Sequence, residues 1–263
     1  YAGLHTPSNM NLTYSFLRLF DSKLKYLCET GGHVTGNEES VKVFSPRVSP
    51  WIFALGEMGL NLVGNLVGAY ALFFYTDRMG LPVAMAALAA TINAVWDGID
   101  DPLFGYLSDR NRRRHGRRFW LFFSFPLYIT ATILIWMPPD GLEENAMFAY
   151  YLTFLLLFET GATISWLNYR SLFPGHFPEE RQRTNASAIR KALGTVAMIV
   201  SISLAPLIYG SLGFPAMGAI LAAASAISLG LFLWRTPESQ PVAGDSEQET
   251  PNVIAAFAHA FRN

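Results

Sequence analysis

The sequence has little charge and almost no cysteine. Charged residues make up 15% of its 263 residues, whereas a soluble domain carries about 25%. The single cysteine, Cys28, excludes a disulfide framework and a thiolate metal site. The net charge of −1 provides no basic excess for nucleic acid. The five histidines are scattered without metal-ligand spacing, so the composition disfavours a secreted disulfide-rich protein, a zinc enzyme and a nucleic-acid binder.

Long uncharged segments account for the missing charge. A membrane-spanning helix needs about 20 mainly apolar residues, and six segments reach that length. They cover residues 50–74, 82–107, 119–138, 146–171, 187–209 and 214–234. The pattern predicts an all-α, polytopic membrane protein with a bundle of six transmembrane helices.

Lysine and arginine alternate between the connections. Six arginines follow the second span, whereas Arg78 alone follows the first and none follows the third. Basic loops remain in the cytoplasm. We therefore expect both ends of a multi-pass protein to be cytoplasmic, in the plasma (inner) membrane.

Three regions are predicted along the chain. Residues 1–48 form a polar N-terminal segment, with an amphipathic stretch at 12–28 that is either a surface helix or poorly ordered. Residues 49–235 form the six-helix domain. Residues 236–263 form a cytoplasmic linker and a short helix, at 252–263, that leads toward a missing second half.

Three aspartates share one helical face inside the second predicted span. Asp97, Asp100 and Asp101 stand at positions i, i+3 and i+4. Ionised carboxylates at this depth are costly, and these three repel one another. They must bind protons or cations, or face a water-filled cavity. Alternatively, the span ends early and the acids lie in a cytoplasmic loop.

Two further acids are predicted to be buried. Glu57 begins a polar stripe with Asn61 and Asn65 in span one, and Glu159 lies near the middle of span four. We expect no basic partner at mid-depth for these acids, so at least two of the five should bind a cation or a polar substrate. Glu159 alone could instead be protonated and hydrogen-bonded to a neighbouring helix.

The arginine-rich loop has two interpretations. It can simply hold its side of the protein in the cytoplasm. It can also form a cytoplasmic gate, in which charged side chains pair with neighbouring helix ends in one access state. The predicted gate residues are Asp109, Arg110, Arg117, Arg118, Arg183 and Arg190.

These motifs resemble a known family. The stretch DGIDDPLFGYLSDRNRRRHGRR at 97–118 resembles the signature of the glycoside–pentoside–hexuronide:cation symporters, the melibiose-permease branch of the major facilitator superfamily. FFYTDRMGL at 73–81 resembles the first outer loop of that family, and SLFP at 171–174 with ERQRT at 180–184 resembles its loop between spans four and five. The resemblance implies twelve spans in two halves, of which this chain holds the N-terminal one.

The resemblance also implies site residues. The cation site falls on Asp97 and Asp101, with Thr163 as a nearby hydroxyl and Asn61 where the melibiose permease has a carboxylate. Trp166 stands where that permease has a sugar-binding aspartate, and it either stacks on substrate or packs in the bundle. The predicted substrate-binding residues are Glu57, Asp100, Glu159 and Trp166.

The sequence therefore predicts a symporter of a sugar or glycoside, coupled to Na⁺ or H⁺, rather than an enzyme. No cofactor and no metal beyond a transported Na⁺ are expected. The expected partners are a small-molecule substrate, the cation, the bilayer and the missing half. One alternative keeps the fold and carries a lipid, lysolipid or organic acid. A remoter alternative is a membrane protein without transport activity.

Overall fold

The computed structural model describes residues 48–238, apart from the side chains at 109–115 and 117. The amphipathic stretch at 12–28, the linker beyond residue 238 and the helix at 252–263 lie outside these residues. The three predicted regions of the chain therefore stay predictions.

The described residues are mainly helical, without a strand between 48 and 238, which confirms the predicted all-α class. The helices are α1 (Pro50–Phe73), a π-helical turn (Phe74–Arg78), α2 (Val83–Ile135), α3 (Glu144–His176), α4 (Glu180–Leu212) and α5 (Phe214–Arg235). A proline occupies the first turn of α1 and of α5, where it leaves no helical hydrogen bond unmade.

Helix α2 covers both the second and the third predicted span. The two arms, 83–115 and 117–135, meet at Gly116, whose φ of 74° and ψ of 170° break the helix. A glycine adopts positive φ readily because it lacks a Cβ atom. The arginine-rich stretch is thus helical up to this glycine, since arginine is a good helix former. The arginine-rich stretch, expected as a loop, is therefore helical, while the two predicted spans lie in separate helical arms on either side of Gly116.

Five helical segments are long and apolar enough to cross a membrane: Pro50–Arg78, Arg118–Ile135, Glu144–His176, Glu180–Leu212 and Phe214–Arg235. They correspond to five of the six predicted spans. The predicted span at 82–107 is helical but is not among them. Its three aspartates and Asn93 lower the hydropathy of an otherwise apolar arm.

Helix α1 is the centre of the packing. Its backbone carbonyl oxygens accept hydrogen bonds from side chains of all four other helices. These oxygens also accept the backbone hydrogen bonds within α1. The bonds run from Tyr128 to Leu60 (3.0 Å), Tyr169 to Phe53 (3.0 Å), Ser201 to Leu62 (2.7 Å), Ser225 to Gly59 (2.6 Å) and Ser228 to Leu55 (2.8 Å). Hydroxyl groups at interfaces tie helices together in an apolar medium.

Aromatic clusters hold the two ends of the bundle. Phe53, near the start of α1, contacts the rings of Tyr169, Phe177 and Phe232, which lie toward the ends of α3 and α5. At the other end, Phe74 contacts Trp136 and Phe214. The start of α1 therefore meets the ends of α3 and α5, as a chain that passes back and forth requires.

The closest backbone approach generates a prediction. A Cβ atom on Gly161 of α3 would lie 3.0 Å from the backbone nitrogen and Cα of Tyr128, whereas one on Gly68 of α1 would meet nothing within 4 Å. Overpacking against backbone costs about 1–3 kcal/mol, so Gly161→Ala should lower the Tm of the detergent-purified protein by several degrees. Gly68→Ala is the matched control and should leave the Tm unchanged or raise it. Equal Tm values for the two variants would contradict this packing.

Candidate functional site

The three aspartates form a compact carboxylate cluster on the first arm of α2. One carboxylate oxygen from each of Asp97, Asp100 and Asp101 lies within 4.8 Å of the other two. Asp100 is 0% exposed, whereas the other two are exposed in the described part of the chain. Helical spacing explains the convergence, because residues three and four apart are neighbours on one face.

Helix α3 lines the opposite side of this cluster. Thr163 donates its hydroxyl to Oδ1 of Asp100 at 3.3 Å. Nearer the start of both helices, the Asn93 amide donates to Glu159 at 3.5 Å. The pairs follow the same order along α2 and α3, so the two helices run parallel here.

The electrostatics of the cluster favour a cation. Oδ2 of Asp100 is buried and has no hydrogen-bond partner among the described residues. No ion pair in the described part of the chain joins Asp97, Asp100, Asp101 or Glu159 to a basic side chain. Hard monovalent cations prefer oxygen ligands, and the hydroxyl of Thr163 keeps lone pairs free for one.

The acids do not lie in a loop. Helix α2 continues beyond Asp101 as far as the break at Gly116. The part of the alternative that puts the acids in a loop is therefore wrong, whereas their depth in the membrane stays a prediction. The structure also mixes the two predicted sets, because Asp100 and Glu159, predicted as substrate ligands, lie with the predicted cation ligands Asp97, Asp101 and Thr163. Whether each binds cation or substrate stays a prediction.

Asn61 lies in different surroundings. Its amide donates to the Glu57 carbonyl oxygen at 2.8 Å and lies 3.2 Å from where a Cβ of Gly194 in α4 would be. No hydrogen bond between described residues connects Asn61 with the aspartate cluster. Its predicted role as a cation ligand stays a prediction.

Glu57 is a correction to the sequence analysis. This carboxylate is 2% exposed and pairs with Arg190 Nε and Lys191 Nζ of α4, each at 2.9 Å. The expectation that the buried acids lack basic partners is wrong for Glu57. The partners escaped the sequence reading because they lie 133 and 134 residues away, and local spacing carries no signal across that separation.

Arg190, predicted as a gate residue, is buried against α1. Its guanidinium lies 4.5 Å from the ring centroid of Phe173 and 5.2 Å from that of Tyr169. An arginine that combines a carboxylate partner with two aromatic faces loses little by leaving water. The structure thus places Arg190 in a buried ion pair between α1 and α4.

Of the other predicted gate residues, the structure describes the side chains of Arg118 and Arg183. Arg118 donates to the Leu233 carbonyl and, through its backbone N–H, to Glu238 at 2.9 Å, so it joins α2 to the end of α5. Arg183 donates to the carbonyl oxygens of Phe177 and Pro178 at the start of α4. The side chains of Asp109, Arg110 and Arg117 lie outside the described residues.

Trp166 of α3 is partly buried and packs against the hydrophobic core. The guanidinium of exposed Arg170, one turn further along, lies 4.8 Å from its ring centroid. An apolar ring with a cation above it is a surface for packing or for an amphiphilic ligand, and both interpretations of Trp166 remain open.

Five helical segments that are long and apolar enough to cross a membrane define a multi-pass membrane protein. Residues 52–263 match the family described as MFS/sugar transport protein. The chain therefore belongs to this family, as its resemblance to cation symporters predicted.

Named relatives include an uncharacterized symporter of Synechocystis, which is 32% identical over 194 residues, 69% of this chain and 35% of the relative. The sodium-dependent lysophosphatidylcholine symporter 1 of Mus musculus is 29% identical over 63% of this chain and 32% of its own length. The isoprimeverose transporter of Lactiplantibacillus pentosus is 25% identical over 65% of this chain and 36% of its own length. The chain thus spans about a third of these curated relatives, which are named as transporters rather than enzymes.

The ion pair at Glu57 generates a prediction about stability. Glu57→Gln removes the partner of buried Arg190, and breaking a buried pair costs about 3–5 kcal/mol. The Tm of the purified protein should fall strongly. Lys191→Gln removes the second cationic partner of Glu57. The Lys191 side chain is 72% exposed, and exposed pairs contribute about 0–1 kcal/mol. A loss of Tm in Lys191→Gln as large as that in Glu57→Gln would contradict this assignment.

Proposed function

We propose that the chain is the N-terminal half of a cation-coupled symporter that carries a sugar or glycoside across the membrane. The observation that supports this most strongly is the carboxylate cluster, in which fully buried Asp100 has an unpartnered oxygen. An uncompensated buried charge is costly, so a protein that retains one needs a visiting cation. The family match supports the transport reaction.

In this mechanism, a cation binds Asp97, Asp100 and Asp101, with Thr163 as a neutral oxygen ligand. Its charge relieves the repulsion among the carboxylates and draws the first arm of α2 toward α3. Substrate then binds beside a more ordered pair of helices. Because coupling between two ligands is reciprocal, bound substrate also raises the affinity for the cation.

The two halves then rock around the occupied site and open it alternately to each side. In this proposal, a second half outside this chain completes the transporter, which agrees with the chain spanning only about a third of its relatives. We place the protein in the plasma (inner) membrane with the arginine-rich side in the cytoplasm, because basic loops are retained there. The contact of Arg118 with the end of α5 supports a role in closing that side.

A sugar is the favoured substrate because the family is described as sugar transport and one relative is named for isoprimeverose. A lysolipid is the second candidate. The mouse relative is named for lysophosphatidylcholine, and Arg170 above the ring of Trp166 would suit an anionic head group beside an apolar chain. Competition of labelled glycoside uptake by unlabelled glycosides or by lysophosphatidylcholine distinguishes the two.

The cluster predicts the behaviour of neutral variants. Asp97→Asn and Asp101→Asn should each reduce cation-gradient-driven uptake by the full-length protein in proteoliposomes at least tenfold, because each removes a charge that attracts the cation. The measurement compares labelled-substrate uptake with and without an inward Na⁺ gradient and, separately, a proton gradient.

The matched control is Asp140→Asn, which changes an exposed aspartate in the connection between α2 and α3. This variant should transport normally. Full cation-dependent uptake by both Asp97→Asn and Asp101→Asn would refute the proposed cation site.

A further inference from the structure

One face of α3 continues from the carboxylate cluster toward the end of the helix. It carries residues at positions i, i+4, i+7 and i+11, namely Glu159, Thr163, Trp166 and Arg170. With 3.6 residues per turn, these positions lie within about 60° of one another around the helix. Thr163 contacts the cluster by donating its hydroxyl to Asp100. The face that lines the proposed cation site therefore also presents a tryptophan and an arginine.

The spacing along this face suits one small ligand. A helix rises 1.5 Å per residue, so the Cα of Trp166 lies about 5 Å, and that of Arg170 about 10 Å, beyond the Cα of Thr163. A ligand of monosaccharide size that binds beside the cation would reach Trp166 with its ring and Arg170 with a substituent.

Arg170 is an exposed cation that lacks an anionic partner among the described residues. Its guanidinium lies 4.8 Å from the ring centroid of Trp166, and no ion pair or hydrogen bond joins it to another described side chain. Because the contact with the ring uses no oxygen acceptor, the five N–H donors of the guanidinium remain available to an anion.

Arg190 provides the contrast within the same bundle. Its guanidinium also contacts aromatic rings, but it is buried and pairs with the carboxylate of Glu57 at 2.9 Å. Arg170 has the aromatic contact without the carboxylate. An arginine with a free planar set of donors binds carboxylate, sulfonate and phosphate groups well, so the missing anion at Arg170 can come from a ligand.

We propose that the transported substrate carries a negatively charged group that binds Arg170, while its ring or acyl chain packs on Trp166. The inference rests on the proposed symport function, since it names the class of substrate that binds beside the cation. The carboxylates of the cluster repel an anion until a cation neutralises them, so the cation should strengthen binding of the charged group. Trp166 contacts substrate in this account, and Arg170 determines specificity.

Matched ligand pairs test the proposal on the detergent-purified, full-length protein. p-Nitrophenyl glucuronide and p-nitrophenyl glucoside differ by a carboxylate. A short-chain lysophosphatidic acid and the matching monoacylglycerol, both below their micellar concentrations, differ by a phosphate. Isothermal titration calorimetry should show that the anionic member of one pair binds about tenfold more tightly than its neutral counterpart, because charge-assisted hydrogen bonds are about twice as strong as neutral ones. The pair that shows the preference identifies the sugar or the lipid as its source.

The variants assign the preference to one side chain. Arg170→Gln should bind the neutral member as the wild type does and lose the preference for the anionic one, whereas Arg170→Lys should retain part of it. The matched control is Arg235→Gln. Arg235 is also exposed and also lies 4.8 Å from a tryptophan ring centroid, that of Trp234, but it ends α5. This control should keep the full preference.

Equal affinities within both pairs for the wild type would overturn the proposal, whether or not Arg170→Gln folds, and so would a failure of all four ligands to bind. A preference that survives in Arg170→Gln, or an equal loss of affinity for both members of a pair, would also overturn it. The proposed symport is judged separately, by the effect of Na⁺, pH and Asp101→Asn on the affinities. If these change the affinities of charged and neutral members alike, the symport stands and the present inference fails. If they change none, the proposed coupling fails.

Discussion

The uncompensated negative charge between α2 and α3 is the constraint on which the remaining structure depends. An acidic residue can be buried in an apolar bundle only if it is neutralised, paired or hydrated. Asp100 is fully buried, and one of its oxygens has no partner among the described residues. In the proposed mechanism, a mobile cation resolves this conflict, and a charge that is relieved only when an ion arrives couples ion movement to a change of conformation.

Glu57 shows that the same bundle neutralises an acid when the acid has a structural role. This carboxylate is nearly as buried as Asp100, yet it has two cationic partners at 2.9 Å. It ties α1 to α4, while hydroxyl groups tie α1 to the other helices. The contrast between a paired glutamate and an unpaired aspartate in one bundle distinguishes a structural ion pair from the proposed ion site more clearly than residue type alone.

Most of the fold could be predicted from the sequence because hydrophobic length and arginine distribution are local properties. The predicted span at 50–74 matches α1 almost residue for residue. The helical conformation of the arginine-rich stretch before Gly116 could not be predicted, because an arginine-rich helix and an arginine-rich loop have similar composition. The π-helical turn at Phe74–Arg78 also has no sequence signal that we recognise.

Part of the candidate site could also be predicted from the sequence, because residue spacing along one helix is a local property. The spacing of Asp97, Asp100 and Asp101 places them on one face, and the structure brings their oxygens within 4.8 Å. The residues of α3 that contact these aspartates depend on how α2 and α3 pack against each other, which the periodicity of either helix does not specify. The pairing of Glu57 with Arg190 was missed, although a signal existed. The predicted topology puts the start of span one and the start of span five on the same side of the membrane.

The most direct measurement of the central claim is a crystal structure of the full-length protein grown in a thallium salt, because Tl⁺ replaces monovalent cations and scatters anomalously. Our account predicts an anomalous peak between α2 and α3, within ligand distance of the carboxylates of Asp97 to Asp101, and its disappearance in Asp101→Asn crystals. A wild-type structure with no peak there, and with these aspartates hydrated outside the membrane-embedded part of the protein, would contradict it.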